Sequence, residues 1–172
     1  GIGNDEVNTS YIDFHNDDLI YTTKNGIFFN VTIDEGFAYF KPLKSNISDF
    51  LNIRLEEKHA TINYFNPYTQ SKLGIKDIFI DNNILYVSFI ESNNQKGYNT
   101  SIIKAEISEY LNFTKLYTPK NFITSTKREF YPVSSGGRIV NFKQDSILFS
   151  IGDYRDRTSA QDINSDNGKI IA

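Results

Sequence analysis

A strand–turn–strand unit occurs three times in the sequence, and this repeat limits the fold more than any other feature. In each copy an apolar run leads into a short turn rich in Asp and Asn, and a second apolar run follows. The second runs begin at Leu19, Ile84 and Ile147, which are 65 and 63 residues apart. Aromatic and β-branched residues dominate these runs, as they do in β-strands. The repeat therefore predicts an all-β chain.

Three such units are typical of the blades of a β-propeller, in which each blade is a small antiparallel sheet packed against its neighbours. We expect four-stranded antiparallel sheets, with blades near residues 7–70, 71–133 and 134–172, the last of them incomplete. A generic β-sandwich is the alternative, because turn–strand pairs occur in any β protein. The repeat favours the propeller.

The clearest local prediction is a β-hairpin with strands at 19–23 and 27–31. Between them, Asn25 and Gly26 suit the two positive φ angles of a type I′ turn. Single helical turns are expected at 47–51 and 159–164. Further strands are expected at 36–40, 60–64, 76–80, 84–90, 101–107, 138–142 and 147–151.

Composition excludes several classes of function. The net charge is -3, and nucleic-acid binding needs a basic surface, so no nucleic-acid partner is expected. The chain has no cysteine, which excludes disulfides and thiolate chemistry. No run approaches the length of a membrane-spanning helix, and the sequence as given does not open with a signal peptide. The sequence Asn99-Thr100-Ser101 is one of several glycosylation sequons.

The last third of the chain carries a more specific pattern. It contains GGRIVNF at 136–142, SILFSIGD at 146–153, AQD at 160–162 and GKI at 168–170, preceded upstream by LGI at 73–75 and ILYVSF at 84–89. In order and spacing these segments resemble the soluble PQQ-dependent glucose/sorbosone (aldose sugar) dehydrogenase family. The matching segments run from about Gly74 to the end of the chain, with a weaker match over 12–31, and correspond to the first half of the family.

The resemblance implies a six-bladed propeller that binds a sugar and pyrroloquinoline quinone at its axial mouth, with calcium as a further cofactor. This chain would then supply about three of the six blades. We expect it to be a fragment or one piece of a split protein, and its partner to be the remainder of the propeller, in the same or a second chain. The family resemblance also implies a periplasmic or secreted location.

The resemblance assigns four candidate pocket residues: Ser134, Arg138, Asp153 and Tyr154. Family members place a histidine, the general base, immediately before the GGR strand, and Ser134 occupies that position here. A serine without an adjacent base cannot take the proton of a sugar hydroxyl at neutral pH. The two histidines of the chain, at positions 15 and 59, are predicted to be surface residues.

Each of the other candidates has a structural alternative. Arg138 could hold an anionic group, or it could pair with a carboxylate such as Asp153 and lock neighbouring blades. Asp153 could contact a ligand, or it could cap its own loop. Tyr154 could stack on a sugar ring or pack between blades. No metal ligands are assigned, because the Asp-rich loop at 162–168 has its glycine one position late for a calcium-binding EF-hand loop.

Two hypotheses of function follow, and they leave open whether the chain is an enzyme. In the first, a sugar dehydrogenase-like propeller retains redox chemistry with a substituted base. In the second, the propeller has lost catalysis and serves for carbohydrate binding or protein interaction. The family resemblance favours the first hypothesis, and Ser134 favours the second.

Overall fold

The structure is a computed structural model that describes residues 9–51, 74–92, 97–124 and 134–172. Over these ranges the chain is almost entirely β, as predicted. It has a 3₁₀ turn at Ile47–Asp49 and a short helix, α1 (Arg157–Gln161). The described strands are β1 (Ser10–His15), β2 (Asp18–Thr23), β3 (Phe28–Asp34), β4 (Phe37–Ser45), β5 (Ile75–Asp81), β6 (Ile84–Ser92), β7 (Gly97–Glu106), β8 (Tyr110–Leu111), β9 (Thr114–Tyr117), β10 (Ile123–Thr124), β11 (Gly136–Lys143), β12 (Ser146–Ile151) and β13 (Ile170–Ile171).

The strands form three sheets in chain order. The first sheet has the order β1-β2-β3-β4, with β8 added in parallel to β4. The second has the order β10-β7-β6-β5, with β9 also paired to β7, and the third has the order β11-β12-β13. All pairings except that of β4 with β8 are antiparallel. The predicted antiparallel sheets are therefore present, and short extra strands extend the first two of them to five.

The predicted strands at 19–23, 27–31, 36–40, 76–80, 84–90, 101–107, 138–142 and 147–151 all overlap observed strands. Both predicted helical turns are present, with bounds that differ from the predicted ones by up to three residues. The strand predicted at 60–64 lies outside the described residues. Strand β1 is the apolar run that precedes the first turn of the repeat, as predicted. Sequence reasoning missed the two- to four-residue strands β8, β9, β10 and β13, which are too short to show a periodicity of two.

The hairpin of β2 and β3 is confirmed, but the predicted type I′ turn is wrong. Only Gly26 has a positive φ, of 83°, whereas a type I′ turn needs two such residues. The Gly26 N–H donates to Thr23 O over 2.9 Å, and the Thr23 N–H donates to Ile27 O over 3.1 Å. This is the longer hairpin loop in which one left-handed glycine makes a bulge.

Two other turns do have the type I′ signature. Asn82 and Asn83 have φ angles of 47° and 65° and join β5 to β6. Glu35 and Gly36 have φ angles of 48° and 82° and join β3 to β4. In both hairpins the paired residues enclose a loop of two residues, which matches the twist of the flanking strands.

Each pair of neighbouring sheets encloses an apolar core. Residues such as Ile20 and Phe28 of the first sheet pack with Leu85, Val87 and Ile103 of the second, all almost completely buried. A second core joins the second and third sheets and is built from Ile90, Tyr98, Ile102, Ile139, Phe149, Ile151 and Tyr154. The faces of the second sheet are thus both covered, as expected for the middle of three packed sheets.

Side-chain carboxylates also connect the first strands of neighbouring sheets. Asp13 of β1 accepts a hydrogen bond from the Ile80 N–H of β5 over 2.7 Å. Asp77 of β5 accepts one from the Ile139 N–H of β11 over 2.8 Å. The strands β1, β5 and β11 therefore lie side by side, each at the start of its sheet, and the same kind of bond recurs at both junctions.

Gly26 and Gly36 provide a matched test of the turn analysis, because both have φ angles near 80°. A Cβ at Gly36 would meet nothing within 4 Å, whereas one at Gly26 would lie 2.9 Å from Leu51 Cδ1 and 3.0 Å from Ile47. We predict that Gly36→Ala lowers the free energy of unfolding by about 1–2 kcal/mol, the cost of a left-handed residue. Gly26→Ala should cost at least about 1 kcal/mol more, because the core must also shift. Urea unfolding of both variants checks this, and equal losses would contradict it.

Candidate functional site

Ser134, Asp153 and Tyr154 come together at one end of the third sheet, where β11 begins and β12 ends. The Gly152 N–H donates to Ser135 O over 2.8 Å, and the Tyr154 N–H donates to Ser134 O over 3.3 Å. The segment before β11 and the segment after β12 are thereby joined into one double loop. We call residues 134–135 and 152–154 the mouth loop.

Gly152 lets the two halves of the mouth loop approach each other. A Cβ on Gly152 would lie 1.6 Å from Ser134 O, so any side chain there would push the segments apart. Ser134 itself is exposed and has a positive φ of 52°, an uncommon conformation for a residue other than glycine, Asn or Asp. Backbone strain of this kind often accompanies functional loops, which makes the mouth loop the candidate site of the described residues.

Arg138 pairs with Asp77, and not with Asp153 as the structural alternative suggested. Its Nη1 lies 3.5 Å from Asp77 Oδ1, and its side chain is 76% exposed. The idea of a link between neighbouring sheets is correct, because Asp77 belongs to the second sheet and Arg138 to the third. The guanidinium remains largely open to solvent and to a ligand.

Asp77 is held more firmly by the backbone than by Arg138. Its side chain is 8% exposed, and its Oδ2 accepts the Ile139 N–H over 2.8 Å. Burial raises the pKa of this carboxyl, although the Ile139 N–H and the Arg138 charge act in the opposite direction. Beside it, the Ser88 hydroxyl donates to Gly137 O, which adds a further bond between the second and third sheets.

Asp153 caps its own loop. Its Oδ1 accepts the Arg155 N–H over 2.9 Å, and its backbone oxygen accepts the Asp156 N–H over 2.7 Å. Asp156 in turn accepts the Ser159 N–H over 3.1 Å and caps helix α1. A contact of Asp153 with a ligand stays a prediction, and the side chain is only partly buried.

Tyr154 is 6% exposed and packs between the second and third sheets. Its ring meets that of Tyr98 edge to face, with centroids 5.4 Å apart. Its hydroxyl lies 2.6 Å from Thr100 Oγ1 and donates to Asn99 Oδ1 over 2.9 Å. Burial raises the pKa of this hydroxyl far above its usual value, so it is protonated at neutral pH. A stacking contact of Tyr154 with a sugar stays a prediction.

The segment that follows α1 is anchored by buried polar side chains. Asn167 accepts a hydrogen bond from Asn99 Nδ2 over 3.0 Å and donates to Ser159 Oγ over 2.7 Å. Asp166 accepts the Lys120 N–H over 2.8 Å. Because these residues are almost fully buried, each bond replaces one to water, and their loss would be costly. The segment with the AQD and GKI motifs is thus fastened to the second sheet.

No group of three metal-ligating side chains is found within the described ranges. In the Asp-rich loop at 162–168, the Asp162 carboxylate accepts the Asn164 N–H over 2.9 Å, and the Asp166 carboxylate accepts the Lys120 N–H. Both carboxylates therefore serve backbone amides in this structure, as in ordinary loop capping.

His15 lies at the opposite end of the sheets from the mouth loop. Its Nε2 is 2.7 Å from Asn83 Oδ1, which joins the β1–β2 turn to the β5–β6 turn. The mouth loop stands instead beside the start of β5, where Gly137 contacts Lys76. At roughly 3.3 Å per residue, the seven residues of β5 separate the two ends by about 20 Å. His59 lies outside the described residues.

Sequence reasoning missed Asp77, Asn99 and Thr100. Asp77 lies in a short strand segment, and no sequence pattern indicates that it bonds the next sheet. Asn99 and Thr100 drew notice only as part of a sequon, yet both are completely buried, and Asn99 Nδ2 donates to Asn121 O over 2.6 Å. Three adjacent polar residues, Asn99, Thr100 and Ser101, in a strand whose next residues are apolar were the one available signal.

Comparison with known proteins identifies the family. The family model described as glucose/sorbosone dehydrogenase matches residues 56–172, about two thirds of the chain. The chain belongs to the glucose/sorbosone dehydrogenase family. The mouth loop, β11, β12 and the anchored segment after α1 all lie within the matched region. A comparison with curated protein sequences found no significant match.

Solved structures share the fold of this glucose/sorbosone dehydrogenase family member. One is a glucose dehydrogenase with 14% identity and a TM-score of 0.65, which aligns with 95% of this chain and 47% of its own length. A second glucose dehydrogenase has 15% identity and a TM-score of 0.63, covering 94% of this chain and 43% of its own. The soluble aldose sugar dehydrogenase of Escherichia coli in its apo-form has 16% identity and a TM-score of 0.63. Its alignment covers 96% of this chain and 44% of the dehydrogenase. The chain thus spans less than half the length of each.

Among the described residues of this family member, no helix has the length and apolarity needed to cross a membrane.

The two contacts of Asp77 can be separated by mutation. We predict that Asp77→Ala lowers the free energy of unfolding by about 1–3 kcal/mol, because the buried Ile139 N–H loses its acceptor. Arg138→Ala should cost less than about 1 kcal/mol, since the guanidinium is largely exposed. Urea unfolding measures both. If Arg138→Ala were as destabilising as Asp77→Ala, the ion pair rather than the backbone bond would be the main contact.

The raised pKa of Asp77 predicts a dependence of stability on pH. The folded state holds the Asp77 proton more tightly than the unfolded state, so this residue's contribution to stability falls as the pH rises from its ordinary pKa of 3.8 through the raised value. Asp77→Asn cannot titrate. We predict that wild type loses stability relative to Asp77→Asn over this window and that the difference is constant above it. Urea unfolding at several pH values checks this, and a difference of opposite slope would refute it.

Proposed function

We propose that this chain forms the sugar-binding part of a sugar dehydrogenase-like propeller and that it binds carbohydrate without a catalytic base of its own. The proposal rests on family membership for the ligand class and on the mouth loop for the missing base. Pocket roles for Ser134, Arg138, Asp153 and Tyr154 are part of the proposal.

The main support for the proposal is that serine, at position 134, occupies the place of the family's catalytic histidine. Oxidation of a sugar hydroxyl needs a group that accepts its proton, and a histidine near its ordinary pKa does this well. Ser134 is exposed in the mouth loop, and it is its backbone oxygen that takes part in closing the loop, by accepting the Tyr154 N–H. His15 cannot replace the base, because it stands about 20 Å away at the far end of the sheets.

The groups at the mouth loop suit a sugar, and Arg138 of β11 suits part of an anionic cofactor. A serine hydroxyl and a partly buried carboxylate can bond sugar hydroxyls at Ser134 and Asp153. The exposed guanidinium of Arg138 can bind a carboxylate, of which pyrroloquinoline quinone carries several. Arg138 would hold the cofactor in this way, and the cofactor would supply the electron acceptor for sugar oxidation. We place the other cations that such a cofactor needs, and any calcium ion, on the rest of the propeller.

A second candidate function is a redox enzyme whose base comes from elsewhere in the propeller. Membership in the glucose/sorbosone dehydrogenase family and the exposed Arg138 favour it. In that case the residues of this chain bind and orient the sugar, and a group on another blade removes the proton.

The exposed faces of the outer sheets support the rest of a propeller as partner. Ile12 and Phe14 of β1 are 62% and 76% exposed. By alignment of the strand pairings, they correspond to Ile78 and Ile80 of β5, which pack into the core against the first sheet. We therefore propose that a further sheet, in the same or a second chain, covers the first sheet as the first covers the second. The three sheets would be three blades of a ring, near 7–70, 71–133 and 134–172.

We also propose a periplasmic or secreted location, on the basis of the family resemblance.

Binding and turnover distinguish the two candidates. We predict that the protein, with the rest of its propeller present, binds aldoses and that addition of pyrroloquinoline quinone and calcium gives no dye reduction with a panel of aldoses. Isothermal titration measures binding, and a redox dye measures turnover. Dye reduction would support the second candidate, and absence of both binding and turnover would refute both.

Restoring the family's base should not by itself restore catalysis. We predict that Ser134→His with the quinone and calcium remains without dye reduction, because the rest of the pocket is not built by these residues alone. Arg138→Ala serves as the control for cofactor binding, which should weaken at least about tenfold when the charged hydrogen bond is lost. Detectable turnover by Ser134→His would show that only the base was missing.

A further inference from the structure

We infer that Thr100, on the second sheet, is a positioning residue for the mouth loop of the third sheet. The inference rests on the proposed sugar site at that loop and adds a residue from a different sheet to it. Thr100 does not stand at the loop surface. It is completely buried in β7.

Thr100 holds the mouth loop from beneath at two points. Its hydroxyl donates to Ser135 O over 2.7 Å, which fixes the segment before β11. The same hydroxyl lies 2.6 Å from the Tyr154 hydroxyl, which fixes the segment after β12. Each hydroxyl has one proton and two acceptor positions, so two protons serve the three contacts among Thr100, Tyr154, Ser135 O and Asn99 Oδ1. When Thr100 donates to Ser135 O, the Tyr154 proton is shared between Thr100 Oγ1 and Asn99 Oδ1, and Thr100 still contacts both halves of the loop.

The neighbouring Asn99 extends this support. Its Oδ1 accepts from the Tyr154 hydroxyl over 2.9 Å and from the Thr100 N–H over 2.7 Å. Its Nδ2 donates to Asn167 in the anchored segment over 3.0 Å. Two adjacent residues of one strand, Asn99 and Thr100, therefore fix the position of the mouth loop and of the segment after α1 relative to the second sheet. Apolar packing between the sheets is not directional, so it could not fix the position of the loop alone.

The chain offers a matched control at Thr22. This threonine is also completely buried in a strand, and its hydroxyl donates to Thr23 O over 3.0 Å, but it lies in the first sheet. Thr100→Val and Thr22→Val make the same chemical change in the same kind of place. Thr100→Ser keeps the hydroxyl and serves as the conservative variant.

Amide hydrogen exchange, measured by NMR on the protein with its whole propeller, reports the position of the mouth loop without any ligand. We expect Thr100→Val to speed exchange of the Gly152 and Tyr154 amides by about tenfold, since both donate across the mouth loop. The Ile107 amide, bonded to Asn83 O at the far end, should not change. Thr100→Ser and Thr22→Val should leave all three amides as in wild type.

The inference is overturned if Thr100→Val leaves the Gly152 and Tyr154 amides unchanged, or if Thr22→Val speeds them equally. Should Thr100→Val fail to fold, Tyr154→Phe decides instead, with Tyr11→Phe as control, because the Tyr11 hydroxyl donates to Ile75 O between the first two sheets. Tyr154→Phe should speed exchange at Gly152, and Tyr11→Phe should not. No effect of Tyr154→Phe would refute the role.

Binding of D-glucose tests the link to function. Where wild type binds the sugar, Thr100→Val should weaken binding at least tenfold and Thr22→Val should not, and equal affinities would refute positioning of the site. Where wild type does not bind D-glucose or another aldose, the proposed function fails. The exchange experiment then still decides whether Thr100 positions the loop.

Discussion

Packed sheets must be prevented from sliding over one another, and in this protein the carboxylates of Asp13, which is partly buried, and Asp77, which is buried, do this between neighbouring sheets. Within a sheet, the ladder of backbone hydrogen bonds sets the register of the strands. Between sheets the contact is mostly apolar, and apolar contact has no preferred register. Asp13 and Asp77 each bind one backbone N–H of the next sheet. Since an N–H has a fixed place along its strand, each bond selects one register. The place of the mouth loop depends on the bond of Asp77, because Ile139 lies only five residues after Ser134.

Burial of the Asp77 carboxylate has an energetic cost, and its neighbours offset part of that cost. A carboxylate that is 8% exposed loses most of its hydration, which is why its pKa is raised. The Ile139 N–H, the Arg138 guanidinium and the bond from Ser88 to Gly137 O all meet at this crossing of β5, β6 and β11. Gly137 permits the approach, because a Cβ there would lie 2.4 Å from Lys76 Cβ. The third sheet is thus held to the second by polar contacts that need close backbone packing.

The sequence predicted the strands better than the contacts between them. Alternation of apolar residues and turn residues is local, so 84–90 and 147–151 could be assigned directly. The turn at Asn25-Gly26 was assigned a wrong type because Asn-Gly permits the type I′ geometry without requiring it, whereas Asn82-Asn83 adopts it. The contacts of Asp77, Asn99 and Thr100 could not be predicted, because the role of a buried polar residue depends on a partner distant in the chain. Arg138 was correctly expected to join sheets, but its partner is 61 residues away.

The mouth loop can be built independently of the side chain at position 134. Its closure uses the backbone oxygens of Ser134 and Ser135, the missing side chain of Gly152, and the hydroxyls of Thr100 and Tyr154. None of these contacts involves the Ser134 hydroxyl. The side chain at this position can therefore differ without loss of the architecture of the mouth loop. The left-handed backbone at Ser134 carries a cost of about 1–2 kcal/mol, and Tyr154 of the same loop also has a positive φ, of 50°. The geometry of the mouth loop and the chemistry of the side chain at position 134 are therefore separable, since backbone contacts build the loop without that side chain.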